Sequence, residues 1–256
     1  LLFLMKLTEK EAARYNRQIL LNEIGETGQL LLKQARVLIV GVGGLGSPIA
    51  LYLAGAGVGT IGLIDDDTVS ETNLQRQVLY ADAEIGRLKV EVAADMARRI
   101  NPDVQIITRA ERLVRGATLP DGVDVVLDGS DNFATRLLVN DLCVAARVPL
   151  VSAAIGQFHG QMGTFRGWET DKPCYRCFVG DAHDPDECDS CSEVGVLGAM
   201  VGMMGSWAAM EAIRVLTGFG DNQAGRLHIF DGLKPDIRSI RLPKDRECST
   251  CGPAAA

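Results

Sequence analysis

The chain has 256 residues, 47% of them hydrophobic and 23% charged, enough for one large α/β domain or one domain with a small appendage. Its formal charge of −7 argues against a protein that grips nucleic acid by neutralising phosphates. Six of the seven cysteines fall into three C-x-x-C pairs. In a chain this large they point to metal or thiol chemistry in a reducing cytoplasm rather than to a secreted disulfide framework.

The apolar start, Leu1 to Met5, is too short for a signal-peptide core, and Met5 is a candidate natural start. Thr8-Glu9-Lys10-Glu11 is a capping box, which predicts a helix running through Arg14, Tyr15, Arg17 and Ile19. Arg36 to Val40 is a short β-branched run suited to a buried parallel strand. A helix is expected from Ser47 to about Ala56, and a second strand from Thr60 to Ile64 ending in Asp65-Asp66-Asp67. A helix from Leu88 to Ile100 stops at Asn101-Pro102 and leads to a third strand, Val104 to Thr108. A fourth strand, Val123 to Leu127, precedes a helix from Ala134 to Ala146 and a strand from Leu150 to Ala153. Strands alternating with helices imply a Rossmann-like, mostly parallel sheet with helices on both faces and ligands at the strands' carboxyl ends.

After residue 155 the pattern becomes mixed, with strand-like pieces at Gly163 to Arg166, Arg226 to Asp231 and Ile237 to Leu242. Val194 to Met210 carries no charge, but Glu211 and Arg214 end the run short of a membrane span. A buried helix, with Gly198 and Gly202 at a close contact such as a subunit interface, is the expectation. Pro253 to Ala256 reads as a frayed tail.

Gly41-x-Gly43-x-x-Gly46 lies between a strand and a helix, where glycines admit a phosphate to the backbone and to the helix N-terminus. Asp65, 24 residues after Gly41, ends the next strand, the place of a ribose-binding acid. This motif alone does not separate ATP from a nicotinamide cofactor. Arg76, Lys89, Asp128 and Asp131 do, because triphosphate chemistry with Mg²⁺ needs such charges and a dehydrogenase does not. Cys174-x-x-Cys177 with Cys248-x-x-Cys251 has the knuckle spacing of a zinc site. Cys188-x-x-Cys191 competes as partner of the first pair, and spacing leaves the two pairings even. Cys143 on an apolar helix reads as core. His159, His183 and His228 form no catalytic or metal-ligand pattern, so histidine-centred hydrolysis is a poor fit.

Arg14-Tyr15-Asn16-Arg17-Gln18, the glycine motif, Asp65-Asp66-Asp67-Thr68-Val69, Asn73-Leu74-Gln75-Arg76-Gln77, Asp131-Asn132 and the outer C-x-x-C pairs together resemble the MoeB/ThiF/HesA adenylyltransferases. These are the bacterial relatives of ubiquitin-activating enzymes, and the likeness runs from about Leu7 to Gly252. It implies one domain over 5–252, with a nucleotide-binding half at about 30–155 and a zinc- and carrier-binding half at about 156–252. It implies a cytoplasmic homodimer that uses ATP and Mg²⁺, and a structural zinc on Cys174, Cys177, Cys248 and Cys251. The implied substrate is a ubiquitin-fold sulfur-carrier protein ending in Gly-Gly, with no role for nucleic acid or membrane.

The resemblance also assigns roles within the site. Gly41, Gly43, Gly44, Gly46, Asp65, Asp67, Asn73 and Asn132 would bind the nucleotide, with Asp65 on the ribose. Arg76 and Lys89 would contact phosphates, Asp131 would position Mg²⁺, and Arg17 would enter the neighbouring subunit's site. Cys191 falls where the thiamin branch carries a thiol that bonds the activated carrier, and Cys188 makes a second thiol in the same acidic loop. The expected activity is adenylation of the carrier's carboxylate, of the molybdopterin-synthase type, with the thiamin type as the alternative. An NAD-dependent dehydrogenase and a tRNA-activating relative are further rivals. A catalytically dead partner subunit would have lost one of Arg17, Arg76, Lys89 or Asp131, and all four are present.

Overall fold

A computed structural model of the chain describes residues 6–181 and 195–253. The N-terminal helices are α1 (Glu9–Arg14), α2 (Asn16–Ile19) and α3 (Gly25–Gln34). There follow β1 (Arg36–Val40), α4 (Gly46–Ala56), β2 (Thr60–Ile64), α5 (Lys89–Ile100), β3 (Gln105–Arg109) and β4 (Val125–Asp128). The second half contains α6 (Phe133–Ala146), β5 (Leu150–Gly156), β6 (His159–Phe165), α7 (Tyr175–Val179), α8 (Gly198–Thr217), β7 (Arg226–Asp231) and β8 (Asp236–Arg241).

The strands form one sheet in the order β3-β2-β1-β4-β5-β6-β7-β8. Pairings from β3 through β5 are parallel, and those from β5 through β8 antiparallel. Two-residue alternation along the central strands builds a core on each face. Val37, Ile39, Val125 and Leu127 enter one cluster with α4, α5 and α8. Leu38, Val40 and Val126 enter the other with Val139 and Cys143 of α6. The doubly wound parallel part is what the alternating strand and helix signals predict, and the mixed second half turns out to be an antiparallel extension of the same sheet.

The expected helix over Thr8–Ile19 is interrupted at Tyr15 (φ −96°, ψ 11°). The buried Tyr15 hydroxyl accepts from Asn101 Nδ2 at 2.8 Å, tying the chain to the end of α5 and breaking the helix there. The capping box forms as predicted, with Glu11 N donating to Thr8 Oγ1 and Thr8 N donating to Glu11. The uncharged run becomes α8, whose Met200, Val201, Met204, Ala208 and Ala212 are buried. Among the described residues no helix is long and apolar enough to cross a membrane. Gly198 lies on the backbone at Gln75, whereas Gly202 meets nothing, so this glycine pair does not make one joint contact within the chain. Gly205 does the packing instead: a Cβ there would lie 2.6 Å from Leu45 O, so α8 crosses α4 closely.

Candidate active site

The carboxyl ends of β1, β2 and β4 open into a cleft of about 270 Å³ where the strand order reverses between β1 and β4. Gly41 turns the chain out of β1 at φ +82°, and a Cβ there would stand 3.0 Å from the backbone of Gly129 and Ser130. A Cβ on Gly46 would collide with Gly41 O. The helix that follows, α4, has no side-chain cap, but Ser47 N donates to Gly43 O at 3.0 Å and Pro48 has no N–H, so only the amides that precede Ser47 could face a ligand.

Three side chains hold this turn. Asp65 Oδ2 accepts from Val42 N at 2.7 Å, Tyr80 donates to Val42 O at 2.7 Å, and Ser47 donates to Gly43 O at 2.6 Å. Asp65 also accepts from Asp67 N at 2.9 Å. Burial raises the Asp65 carboxyl above its usual value, and the Lys89 charge and the two backbone donors oppose that rise. Burial also pushes the Tyr80 hydroxyl up, with Asp65 adding to the effect, so it remains a neutral donor.

Gly41, Gly43, Gly44, Asp65, Asp67, Arg76, Lys89, Asp131 and Asn132 all line the cleft. Lys89 has a side chain only 5% exposed, and its Nζ lies 2.7 Å from Asp67 Oδ2. Arg76 is anchored by donation to Thr72 O at 3.1 Å. Asn132 caps α6 by accepting from Thr135 N at 2.9 Å. Gly46 lies just behind the cleft in the first turn of α4, and Asn73 also stands outside the lining. Asn73 O accepts from Arg76 N and Gln77 N, so its backbone shapes the segment that carries Arg76.

Asp128 does not share the exposure of Asp131. It is 1% exposed and accepts from Ser130 N, Ser130 Oγ and Ser152 Oγ at 2.6–3.0 Å, as a brace beneath the floor. Sequence reasoning missed Arg136, a buried guanidinium lining the cleft that donates to Ala153 O and Ser130 O. It also missed the apolar wall of Ile155, Val196 and Val201 at the α8 end. The buried pairing of Arg136 with Asp128, 3.9 Å apart, exists only once α6 packs on β4.

Arg17 is exposed on α2 and does not line the cleft. Its neighbour Gln18 donates to Ala56 O at the last residue of α4. The length of α4, about 16 Å, separates that end from the glycine turn. Arg17 therefore stands near the far end of α4 from its own chain's cleft.

The outer cysteine pairs converge. Sγ–Sγ distances are 3.6 Å for Cys174–Cys248, 3.4 Å for Cys177–Cys251 and 3.9 Å for Cys174–Cys177. A disulfide needs about 2.05 Å. Four sulfurs about 2.3 Å from a shared tetrahedral metal stand roughly 3.8 Å apart, so the donor set fits an ion at its centre. A neighbouring thiol and the Asp245 N–H stabilise the Cys177 thiolate, down to about 5, while burial and that thiolate push Cys251 up to about 12. Arg176, between the first pair, donates to Thr250, Asp141 and Asp181 and locks the two loops together. Cys188 and Cys191 lie outside the described residues, as does His183. Cys143 is buried in the core as expected.

A doubly wound sheet with a glycine turn, an acid at the end of the next strand and anchored cations defines a Rossmann-like α/β protein. The sequence matches the ThiF family over residues 15–250, and the chain belongs to that family. It is 43% identical over 249 residues to the adenylyltransferase and sulfurtransferase MOCS3 of Aedes aegypti, covering 96% of this chain and 56% of that protein. The chain thus spans little more than half the length of such relatives. It is 44% identical over 250 residues to the sulfur carrier protein ThiS adenylyltransferase of Escherichia coli, covering 96% of this chain and 97% of that one. Among solved structures, MccB of E. coli with succinimide superposes with a TM-score of 0.81 at 23% identity, over 96% of this chain and 75% of that one. That likeness shows the shared fold.

Proposed function

We propose that the protein adenylates the C-terminal carboxylate of a ubiquitin-fold sulfur-carrier protein ending in Gly-Gly, consuming ATP and releasing pyrophosphate. The observation that carries this reading is the convergence of the glycine turn, Asp65, Arg76, Lys89 and Asp131 on one cleft. A carboxylate with a pKa near ~3.5 is already the anionic nucleophile at neutral pH, so no general base is required. The difficulty is its approach to the α-phosphate of a polyanion. Arg76 and Lys89, fixed by Thr72 and Asp67, offset that repulsion and stabilise the departing pyrophosphate. Asp65 takes the ribose, and the amides that precede Ser47 face the phosphates. Asp131, the exposed acid of the cleft, would hold Mg²⁺, which when bound neutralises phosphate charge.

The carrier's tail enters along Ile155, Val196 and Val201, a wall that suits a glycine tail without side chains. The chain acts as a homodimer in the cytoplasm. The position of Arg17 away from its own cleft supports its entry into a partner's site, and Leu20 and Leu21 just after α2 are exposed apolar residues close to it in the chain. Cys174, Cys177, Cys248 and Cys251 hold structural zinc. Residues 5–252 act as one domain, with a nucleotide half at about 30–155 and a zinc and carrier half at about 156–252.

The molybdopterin-synthase type is the first reading of the pathway. The thiamin type, with covalent transfer at Cys191, is the alternative, and the near full-length likeness to the ThiS adenylyltransferase supports keeping it. Carrier-dependent exchange of radiolabelled pyrophosphate into ATP, measured with each type of carrier, tests both. Exchange with neither carrier would remove the proposal.

A further inference from the structure

Arg17 is an exposed residue on a four-residue helix, and its guanidinium has no hydrogen-bond or ion-pair partner among the described residues. The residues on either side of it are pinned to the scaffold by buried polar groups. Before it, the buried Tyr15 hydroxyl accepts from Asn101 Nδ2 at 2.8 Å. After it, Gln18 Nε2 donates to Gln29 Oε1 at 2.7 Å and to Ala56 O at 3.1 Å. Asn101 and Gln29 are wholly buried and also grip the end of α4, with Asn101 Nδ2 donating to Ala54 O and Gln29 Nε2 to Ala56 O.

Capping of α4 does not account for all of these bonds. Gly57, at φ +82°, already closes the helix with its N–H on Ala54 O, and Ala56 O is already met by Gln29. The bonds from Asn101 to Ala54 O and from Gln18 to Ala56 O are in excess of that need. Buried amide networks contribute little net stability over apolar packing, but when fully satisfied they admit one arrangement of the groups they join.

We propose that Gln29, acting through Gln18, and Asn101, acting through Tyr15, are positioning residues that fix Arg17 for entry into the partner subunit's cleft. This inference rests on the adenylation reading and on the cross-subunit use of Arg17 within it. An arginine that acts across an interface must hold its direction without contacts from the cleft it serves. A single turn of helix is too short to supply that rigidity by its own hydrogen bonds. The clamps at Tyr15 and Gln18 supply it. They stand at the end of α4 away from the glycine turn, so the cleft they govern is the partner's rather than their own.

The test is carrier-dependent exchange of radiolabelled pyrophosphate into ATP by the full chain, with Tm recorded for each variant. Gln29→Met keeps the length of the side chain and deletes both of its amide bonds. Tyr15→Phe deletes only the hydroxyl and replaces it in the test if Gln29→Met does not fold. The folded homodimeric variant should lose about 10- to 100-fold in exchange, the scale of a reacting group misplaced by about 1 Å. Mixed dimers then locate the defect. With Asp131→Ala, the variant's sound cleft receives a well-held Arg17, and exchange should recover to about one quarter of wild type under random pairing. With Arg17→Ala, no cleft receives a well-held arginine, and exchange should not rise above the variant's own level. A structural defect in the variant's own cleft gives the opposite pattern, recovery with Arg17→Ala and none with Asp131→Ala, and overturns the inference. Recovery with both or with neither, subunit exchange being confirmed, overturns it too, as does homodimer exchange within twofold of wild type. Failure of Arg17→Ala and Asp131→Ala to complement each other removes the cross-subunit reading and this inference with it. Wild type without carrier-dependent exchange removes the adenylation reading as well.

Discussion

Lys89 and Asp67 form an asymmetric pair: the ammonium is buried, the carboxylate it meets at 2.7 Å is 59% exposed, and both line the cleft. A buried lysine with one exposed partner is poorly compensated for its desolvation. Its charge is aimed at the cleft and also bears on Asp65. Lys89→Met keeps the stem and deletes the charge. We expect a Tm within a few degrees of wild type and carrier-dependent exchange reduced about 10²- to 10³-fold, the cost of one pre-organised charge. The Asp65 resonance, followed by NMR, should titrate at higher pH in the variant because the Lys89 charge no longer opposes burial. Near-normal exchange by the folded variant would remove Lys89 from the reaction.

Asp65 gives the site a pH dependence of definite sign. Its folded pKa lies above the ordinary value, chiefly through burial. A group with a raised folded pKa favours the fold when protonated and loses that contribution as pH rises through the folded value. The Tm of Asp65→Asn minus that of wild type should therefore fall on acidification from pH 7 to pH 4, on top of a pH-independent loss from setting one amide NH2 against a backbone N–H that the carboxylate accepts. Nucleotide affinity of the wild type should weaken on acidification sooner than for an unburied aspartate. A difference in Tm that grows as pH falls would reverse the assigned shift.

The cysteine geometry predicts one zinc per chain by elemental analysis. Cys174→Ser and Cys248→Ser should lose metal and about 5–15 °C of Tm, a few kcal/mol for a domain of this size. Cys188→Ser should keep both. Loss of zinc from Cys188→Ser with retention in Cys248→Ser would establish the compact pairing instead.

The cysteine choice shows where sequence stops being informative. Spacing leaves two pairings, and what brings Cys248 within 3.6 Å of Cys174 is the β7–β8 hairpin returning the chain across the sheet. The glycine turn, Asp65, Arg76, Lys89 and Asp131 were legible because strand, loop and helix order places them at the same ends of parallel strands. Asp128 was not, since its difference from Asp131 lies in Ser152 and Arg136 folding over it. The α3 helix was missed because its segment carries two glycines and mixes Gln, Glu and Lys with leucines, so no clear apolar stripe marks it. Its buried Gln29 is fixed by Ala56 O from another element. The break at Tyr15 depends on Asn101, 86 residues away.

Arg17 provides a test of assembly. Mixing Arg17→Ala with Asp131→Ala should restore exchange to about one quarter of the wild-type level, given random pairing with half of the dimers mixed and one intact site in each. No recovery, with subunit exchange confirmed, would show that Arg17 does not act across an interface.

The central claim is that this cleft joins an adenylate to a carrier's terminal carboxylate. Intact-mass spectrometry of a Gly-Gly carrier incubated with the protein, ATP and Mg²⁺ measures that directly. The account predicts a carrier heavier by one adenylate, formed with stoichiometric pyrophosphate and lost when Arg76→Ala replaces the wild type. Carrier of unchanged mass and no pyrophosphate, from protein shown to bind both ATP and carrier, would contradict it.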